Sequence, residues 1–352
     1  MELSNLISQI KPANKQAYDA CIDHFDHIAK PVGSLGKLET LLATVAGASG
    51  TPKIDVKKKC VLVFCADNGV LAQGVAQSTH EVTTAIANSL VRKTTSVNAM
   101  AASCGADVFP IDMGMIDQVD GLISHAIAPG TKDMSVESAM SSDQAKEAIL
   151  TGINLVKQRK EEGYRLIATG EAGIGNTTTS SAILACLLNV PVEPVTGRGS
   201  GLTDDGLLRK QNAIKKAIKV NQPDVSNPLD VLAKLGGFDI AGMVGAFLGG
   251  ALYNIPIIMD GFISGVAALI AVKLCPYVKE YILPSHISAE PAGQMLMQVL
   301  GLEPMLHANM RLGEGTGAVA LMPLLDMAAS VYWNAASFDD IQVEAYEKWT
   351  SN

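Results

Sequence analysis

The strongest sign of chemistry in the sequence is a glycine-rich turn at residues 170–178, which reads GEAGIGNTT. It follows an apolar run and precedes a helical pattern, so its backbone N–H groups and the positive end of the helix dipole would face a ligand. Thr177 or Thr178 would cap that helix or supply a hydroxyl group. The turn lacks the ending of a P-loop and the glycine spacing of the dinucleotide fingerprint. It predicts a phosphate-binding turn of another type, and a plain strand-to-helix turn is the alternative.

Two further glycine-rich segments carry charged residues. Residues 197–201, GRGSG, precede a helical pattern that contains Lys210, and a cation there could close over a phosphate. A solvated helix face is the alternative for that cation. Residues 311–317, RLGEGTG, set Glu314 among three glycines ahead of an apolar helix. A partly desolvated carboxylate has a raised pKa and is a better general base, whereas a glutamate that merely favours the helix dipole is the alternative.

The chain alternates short apolar runs with longer helical patterns, which is typical of a parallel sheet with crossover helices on both faces. The predicted strands are Cys60–Cys65, Ala106–Ile111, Arg165–Thr169, Val192–Val195, Ile255–Met259 and Tyr281–Pro284. The predicted helices include Glu81–Cys104, Ser141–Glu162 and Thr177–Leu188. Small polar residues follow four of the strands, at 67–69, 170–178, 260–264 and 285–290. In a doubly wound sheet these strand ends share one edge, so we expect a ligand site there.

Length and patterning predict how the chain is divided. The first 40 residues and the segment after residue 320 have helical patterns, and we expect these two ends to pack together beside the sheet. The predicted division is residues 1–40 and 321–352 for the two parts of a small helical domain, and 41–320 for the α/β domain.

Composition excludes several classes of protein. Of the 352 residues, 48% are hydrophobic and 18% charged, which excludes disorder through low hydrophobicity. The net charge of −8 argues against a nucleic-acid partner or an anionic membrane surface. The six cysteines form no CxxC pair, which favours reduced thiols in a cytoplasmic protein.

For two other patterns, an ordinary structural interpretation is favoured over a functional one. Residues 240–259 are long and apolar enough to span a bilayer, but Pro256 and Asp260 favour a buried helix (about 237–252), a strand, and another helix (about 262–273). We therefore expect no membrane segment. His24-x-x-His27 has no carboxylate at metal-ligand spacing, and His286 and His307 are expected to be structural or to support the residues that touch a ligand, so the sequence predicts no metal or cofactor.

The longer motifs together resemble one family, the nicotinate-nucleotide–dimethylbenzimidazole phosphoribosyltransferases. The resemblance rests on GEAGIGNTT, DVLAKLGGFDIAGM (230–243), DGFIS (260–264), PSHISAE (284–290) and EPMLHANMRLGEGTGA (303–318), with KPVGSLGKLE (30–39) and CADNGV (65–70). It covers nearly the whole chain in collinear order. It implies a Rossmann-like doubly wound parallel sheet, a small helical domain built from both termini, and a homodimer.

The resemblance also implies a reaction and a set of residues. The phosphoribosyl group of nicotinate mononucleotide would pass to the base that becomes the lower ligand of a cobamide, and nicotinate would be released. Glu314 matches the family's general base, and Glu171 becomes a second active-site carboxylate near the ribose or the incoming base. Gly173, Lys210 and Ser288 would contact the phosphate. The other residues expected to bind substrate are Ile174, Gly175, Asn176, Thr177, Gly313, Ser78 and Ile86.

The segment expected to contact the base departs from the family pattern. Thr79 stands after Ser78 where a proline is common, and Thr84-Ala85-Ile86 stands where many members have a glutamine. The acceptor would then be another benzimidazole, a purine or a phenolic base. The alternative is that the pocket still binds 5,6-dimethylbenzimidazole and only its sequence has changed. The alternative to an enzyme is an inactive or supporting subunit, in a heterodimer with a paralogue.

Overall fold

The computed structural model describes residues 2–346, whose central element is a parallel six-stranded sheet in the order β3-β2-β1-β4-β5-β6. The strands are β1 (Lys59–Ala66), β2 (Ala106–Gly114), β3 (Ile123–Ser124), β4 (Leu166–Ala172), β5 (Ile257–Met259) and β6 (Ile282–Pro284). The order reverses between β1 and β4, which opens a crevice at the carboxyl ends of the strands. The predicted doubly wound α/β fold is confirmed.

Helices cover both faces of this sheet. They are α1 (Leu3–Ile7), α2 (Lys15–His27), α3 (Lys37–Ser49), α4 (His80–Val91), α5 (Ser96–Ser103), α6 (Ser142–Glu161), α7 (Asn176–Leu188), α8 (Asp204–Asn221), α9 (Pro228–Leu235), α10 (Phe238–Tyr253), α11 (Phe262–Leu274), α12 (Gly293–Leu300) and α13 (Thr316–Asn334). Helices α2 to α5 and α13 pack on one face, and α1 and α6 to α12 on the other. Because both faces are covered, all eight residues of β1 are buried, as its continuous apolar run predicts.

The apolar stretch at 240–259 folds as the expected helix and strand. Helix α10 ends at Tyr253, Asn254 takes a left-handed φ of 53°, and β5 follows. Helix α10 packs on α6 so closely that a Cβ on Gly245 would lie 2.0 Å from the carbonyl oxygen of Ile149. Among the described residues, α13 is the helix whose length and composition would suit a membrane. Half of its apolar stretch is buried inside the fold.

Two predicted elements were wrong. The expected strand Val192–Val195 is a 3-10 turn, Glu193–Val195, because Pro194 has a fixed φ and no N–H for a strand ladder. The expected helix Glu81–Cys104 is two helices, α4 and α5. The break occurs where Lys93 adopts a φ of 59° and Thr95 caps α5 in a capping box with Asn98.

The two ends of the chain contact each other beside the sheet. The Ala29 N–H donates to the carbonyl of Ala336 at 2.9 Å, and the Phe338 N–H donates to that of His27 at 3.2 Å. The rings of Phe25 and Tyr332 meet edge to face, 5.2 Å apart. A separate helical domain with boundaries at 40 and 320 stays a prediction, and its last six residues, 347–352, lie outside the described part of the chain.

Candidate active site

A cleft lies at the carboxyl edge of the sheet, where the sequence predicted a ligand site. It encloses about 1040 Å³, open solvent included. Its wall contains ten residues expected in the site: Ile86, Glu171, Gly173, Ile174, Gly175, Asn176, Thr177, Ser288, Gly313 and Glu314. Asp260, His286, Glu290 and Arg311 also line it. Segments more than 200 residues apart in the sequence therefore meet in one place.

Two expected residues do not line the cleft. Lys210 lies directly behind its wall, where its ammonium group donates to Thr177 Oγ1 at 2.8 Å. Ser78 is half-buried in the loop before α4, and the cleft is lined instead by Val75 and Ala76 of that loop. The loop continues past Ala76 toward Gly201, where the side-chain amide of Gln77 donates to the carbonyl oxygen. A contact between Ser78 and the base stays a prediction.

The loop that carries Glu314 has an unusual backbone. Gly313, Glu314 and Gly315 adopt φ angles of 88°, 61° and 90°, and a non-glycine residue in this region costs about 1 kcal/mol. The loop crosses β4 closely, since a Cβ on Gly170 would lie 2.5 Å from the Glu314 carbonyl oxygen. The glycines at 170, 313 and 315 therefore allow Glu314 to enter the cleft beside the end of β4.

The Glu314 carboxylate is suited to accept a proton. Burial raises its pKa, and the nearby backbone amide of Val97, in the first turn of α5, opposes that shift. Its Oε2 atom is buried and has no hydrogen-bond partner among the described residues. An oxygen desolvated in this way is available to a substrate proton and is more basic than a carboxylate in water.

Two more carboxylates meet below the turn that begins α7. The side-chain amide of Asn176 donates to Glu171 Oε2 and, at 3.0 Å, to Asp239 Oδ2. Burial raises the pKa of Glu171 well above its usual value and that of Asp239 to about 6. The amide thus holds together two acids that would otherwise repel each other.

Asp260 connects the end of β5 to the beginning of α13. Its carboxylate accepts the N–H of Gly315 at 3.3 Å and that of Ala318 at 3.0 Å, so it anchors the loop of Glu314. His286 lies beside it, with Nδ1 3.0 Å from Ser285 Oγ. Burial lowers the pKa of His286, while the negative charge of Asp260 raises it.

Asp239, Asp260 and His286 were not predicted from the sequence as members of the site. Asp239 meets Asn176 across 63 residues of sequence, so no local pattern brings them together. The DGFIS and PSHISAE motifs carried the signal for Asp260 and His286, but their residues were not given roles. His286 was expected to be structural or to support the residues that touch a ligand, and it lines the cleft.

The other end of the cleft is cationic. Lys210 is fully buried, and burial lowers the pKa of its ammonium group to about 8. The turn before α7 lies next to it, and the Ile174 N–H of that turn donates to Thr83 Oγ1 at 3.1 Å. A buried ammonium beside a helix N-terminus favours an anion such as a phosphate. The cleft can therefore bind a molecule with an anionic end at Lys210 and a reacting centre near Glu314.

Comparisons with known proteins agree with this geometry. A phosphoribosyltransferase family model matches residues 10–343. The nicotinate-nucleotide–dimethylbenzimidazole phosphoribosyltransferase of Acetivibrio thermocellus is 42% identical over 98% of this chain and 99% of its own length, and that of Clostridium acetobutylicum is 42% identical over 99% of both chains. The crystal structure of CobT from Thermus thermophilus superposes with a TM-score of 0.88 at 34% identity, covering 94% of this chain and 99% of that one. The chain belongs to the nicotinate-nucleotide–dimethylbenzimidazole phosphoribosyltransferase family.

Proposed function

We propose that this chain transfers the phosphoribosyl group of nicotinate mononucleotide to an aromatic lower-ligand base, giving an α-riboside phosphate and nicotinate for cobamide assembly. The observation that carries the proposal is the buried, unpartnered oxygen of Glu314 in the same cleft as the turn beside Lys210. The names of the relatives described above specify both substrates, a nicotinate nucleotide and dimethylbenzimidazole.

The cationic end of the cleft binds the phosphate in this proposal. The turn at Gly173–Gly175 and the first turn of α7 face the cleft, and Ser288 lies in the same wall. Lys210 supplies the positive charge through Thr177, whose hydroxyl it contacts. Fixing the phosphate at this end directs C1′ of the ribose toward the carboxylates.

The bond exchange at C1′ needs few protein groups. The bond from C1′ to the pyridinium nitrogen breaks, and its electron pair neutralises the ring that leaves as nicotinate. A nitrogen of the acceptor base, or the oxygen of a phenolic acceptor, attacks the opposite face of C1′, which inverts the configuration from β to α. The proton that the base loses passes to Glu314, the general base.

The other acids stabilise charge during this exchange. The nucleotide has a cationic ring, and C1′ acquires positive charge as the bond to that ring lengthens. Glu171 lines the cleft, and Asp260 lies beside the loop of Glu314. Preorganised negative charge near such a centre lowers the energy of the transition state. We assign Glu171 to the ribose or to the incoming base.

The identity of the acceptor depends on the wall formed by α4. Ile86 lines the cleft there and offers no hydrogen-bonding group to a ring nitrogen. The candidate acceptors are therefore 5,6-dimethylbenzimidazole, a related benzimidazole, a purine and a phenol. Cytoplasmic localisation and assembly as a homodimer, or as a heterodimer with a paralogue, belong to the same proposal.

One incubation tests the proposal. The purified chain alone is mixed with nicotinate mononucleotide and a panel of the four base types, and the products are detected by mass. We expect nicotinate and one riboside phosphate of matching mass. If no base yields either product, the proposal is contradicted. That result would favour the alternative of an inactive or supporting subunit, which the comparisons do not favour.

A further inference from the structure

Glu290 is a negative charge where the proposed function places a phosphate. It lies two residues after Ser288, and its backbone N–H donates to Ser288 Oγ at 3.3 Å. Its Oε2 atom is buried and has no hydrogen-bond partner among the described residues. A carboxylate here repels a phosphate dianion, so its position calls for another role.

The loop at 197–199 separates Glu290 from Lys210. A Cβ on Gly197 would lie 1.9 Å from Glu290 Oε2, so the carboxylate packs directly on the backbone. A Cβ on Gly199 would lie 3.5 Å from the Lys210 ammonium nitrogen. The two glycines let the opposite charges approach the same short loop, which explains the glycine-rich motif that the proposed function leaves unused.

The charges that face these two groups are few. Glu290 is influenced by Lys210 and Arg311, and Lys210 by Glu290. Arg198, on the intervening loop, is bonded instead to the carbonyl of Leu202 at 2.9 Å and to the carboxylate of Asp204. A fully buried ammonium needs a counter-charge, and Glu290 is the carboxylate that raises its pKa.

We propose that Glu290 is a positioning residue that keeps Lys210 charged before the nucleotide binds and is displaced as its counter-charge by the phosphate of the nucleotide. This proposal rests on the proposed function, because it takes the anion at Lys210 to be a sugar phosphate. It gives Glu290 two opposite effects on nucleotide binding. The carboxylate repels the phosphate, and it also preserves the ammonium that attracts the phosphate.

The two effects separate with pH. Lys210 is protonated below its pKa, so there the removal of Glu290 relieves repulsion and strengthens binding. Without Glu290 the pKa of Lys210 falls further, so the ammonium is lost at a lower pH and binding weakens above that point. A residue with a merely structural role would weaken binding by a similar factor at every pH.

The variant Glu290→Gln tests this sign change by calorimetric titration with nicotinate mononucleotide. We expect a Kd about threefold lower than wild type at pH 7 and about threefold to tenfold higher at pH 9. Glu303→Gln is the matched control, since Glu303 is an exposed acid that pairs with Lys37 outside the cleft, and it should change neither value. A Kd change of the same factor at both pH values, or no change, would overturn the proposal.

A second comparison, made in the Lys210→Arg variant, tests the proposal if Glu290→Gln alone affects folding. In Lys210→Arg the cation stays charged at both pH values, so adding Glu290→Gln should strengthen binding at pH 7 and at pH 9 alike. Weakening at pH 9 in this background would contradict the proposal. Wild-type protein that neither binds nor consumes the nucleotide would contradict the proposed function instead, so the two failures are distinguishable.

Discussion

At one end of the cleft, Glu171, Asp260 and Glu314 converge, and at the other end Lys210 is buried against Thr177. Burial raises the pKa of each of the three acids and lowers that of the lysine. The protein alone therefore stabilises the charged form of each of these groups poorly. A ligand supplies a compensating charge at both ends if it is anionic at one end and acquires positive charge at its reacting centre. A sugar phosphate whose pyridinium ring is leaving has this distribution of charge.

The largest effect should come from the acidic end. Glu314→Gln removes the proton acceptor and keeps the shape of the side chain. We expect kcat to fall by about 10² to 10⁴-fold, the usual contribution of a general base, while the Kd of nicotinate mononucleotide stays within about twofold. Steady-state kinetics and calorimetry measure the two values.

A matched control for that variant is Glu137→Gln. Glu137 is exposed and pairs with Lys132 away from the cleft, so its loss should leave kcat unchanged. Normal turnover by Glu314→Gln would remove the distinction between the two ends, because the acidic end would then have no chemical role.

The cationic end should govern binding. Lys210→Ala should lower kcat/KM for nicotinate mononucleotide by about 10² to 10³-fold, because it removes a buried charge directly behind the wall that binds the phosphate. In wild type, kcat/KM should fall as the pH rises above about 8, since the ammonium loses its proton there.

An exposed lysine of the same helix, Lys215, gives the control for this end. Lys215→Ala removes a side chain that pairs with Glu193, and it should leave kcat/KM unchanged. A wild-type rate that stays flat to pH 10, or a Lys210→Ala loss below about threefold, would show that this end does not bind the phosphate.

The backbone that joins β4 to the Glu314 loop should matter less than the charges themselves. Gly170→Ala would place a Cβ 2.5 Å from the Glu314 carbonyl oxygen, so the loop must shift. We expect kcat to fall about 10 to 100-fold with a smaller change in nucleotide Kd, since the loop lies at the acidic end.

The control for this substitution is Gly47→Ala in α3, where a Cβ meets its neighbours at an ordinary 3.5 Å. It should leave kcat unchanged and slightly raise Tm, because alanine is the better helix former. Equal effects of the two substitutions on kcat would contradict the close-approach argument.

The smallest effect should be on the choice of base. Ile86→Gln adds a hydrogen-bonding amide to the wall formed by α4. We expect kcat/KM for 5,6-dimethylbenzimidazole to rise about twofold to tenfold relative to a phenol, because one added hydrogen bond separates the two acceptors. An unchanged ratio in a competition assay would mean that Ile86 does not contact the base.

The sequence predicted best the features that depend on local pattern. The turn at 170–178 and the loop of Glu314 were both recognised from glycines and polar residues that follow or precede regular elements, and both line the cleft. The four-residue interruption before Ser96 was missed, although the capping box of Thr95 with Asn98 was readable. The two-residue strand β3 is too short to give an alternating pattern.

Features that depend on long-range packing could not be predicted. No pattern near Lys210 indicates that its ammonium group is buried behind the cleft wall, since the helix that carries it reads as solvated. The meeting of Asp239 with Glu171 through Asn176 arises only when α10 packs beside α7. Val75 and Ala76 line the cleft although no motif singled them out, and the contact of Ser78 with the base stays a prediction.

A crystal structure of the chain soaked with nicotinate mononucleotide, without an acceptor base, tests the central claim most directly. We predict the phosphate against the turn at Gly173–Gly175 and beside Lys210, with C1′ of the ribose facing the carboxylate of Glu314. Nucleotide bound elsewhere, such as in the groove between α3 and β6 that Tyr18 and Met305 line, would contradict the account.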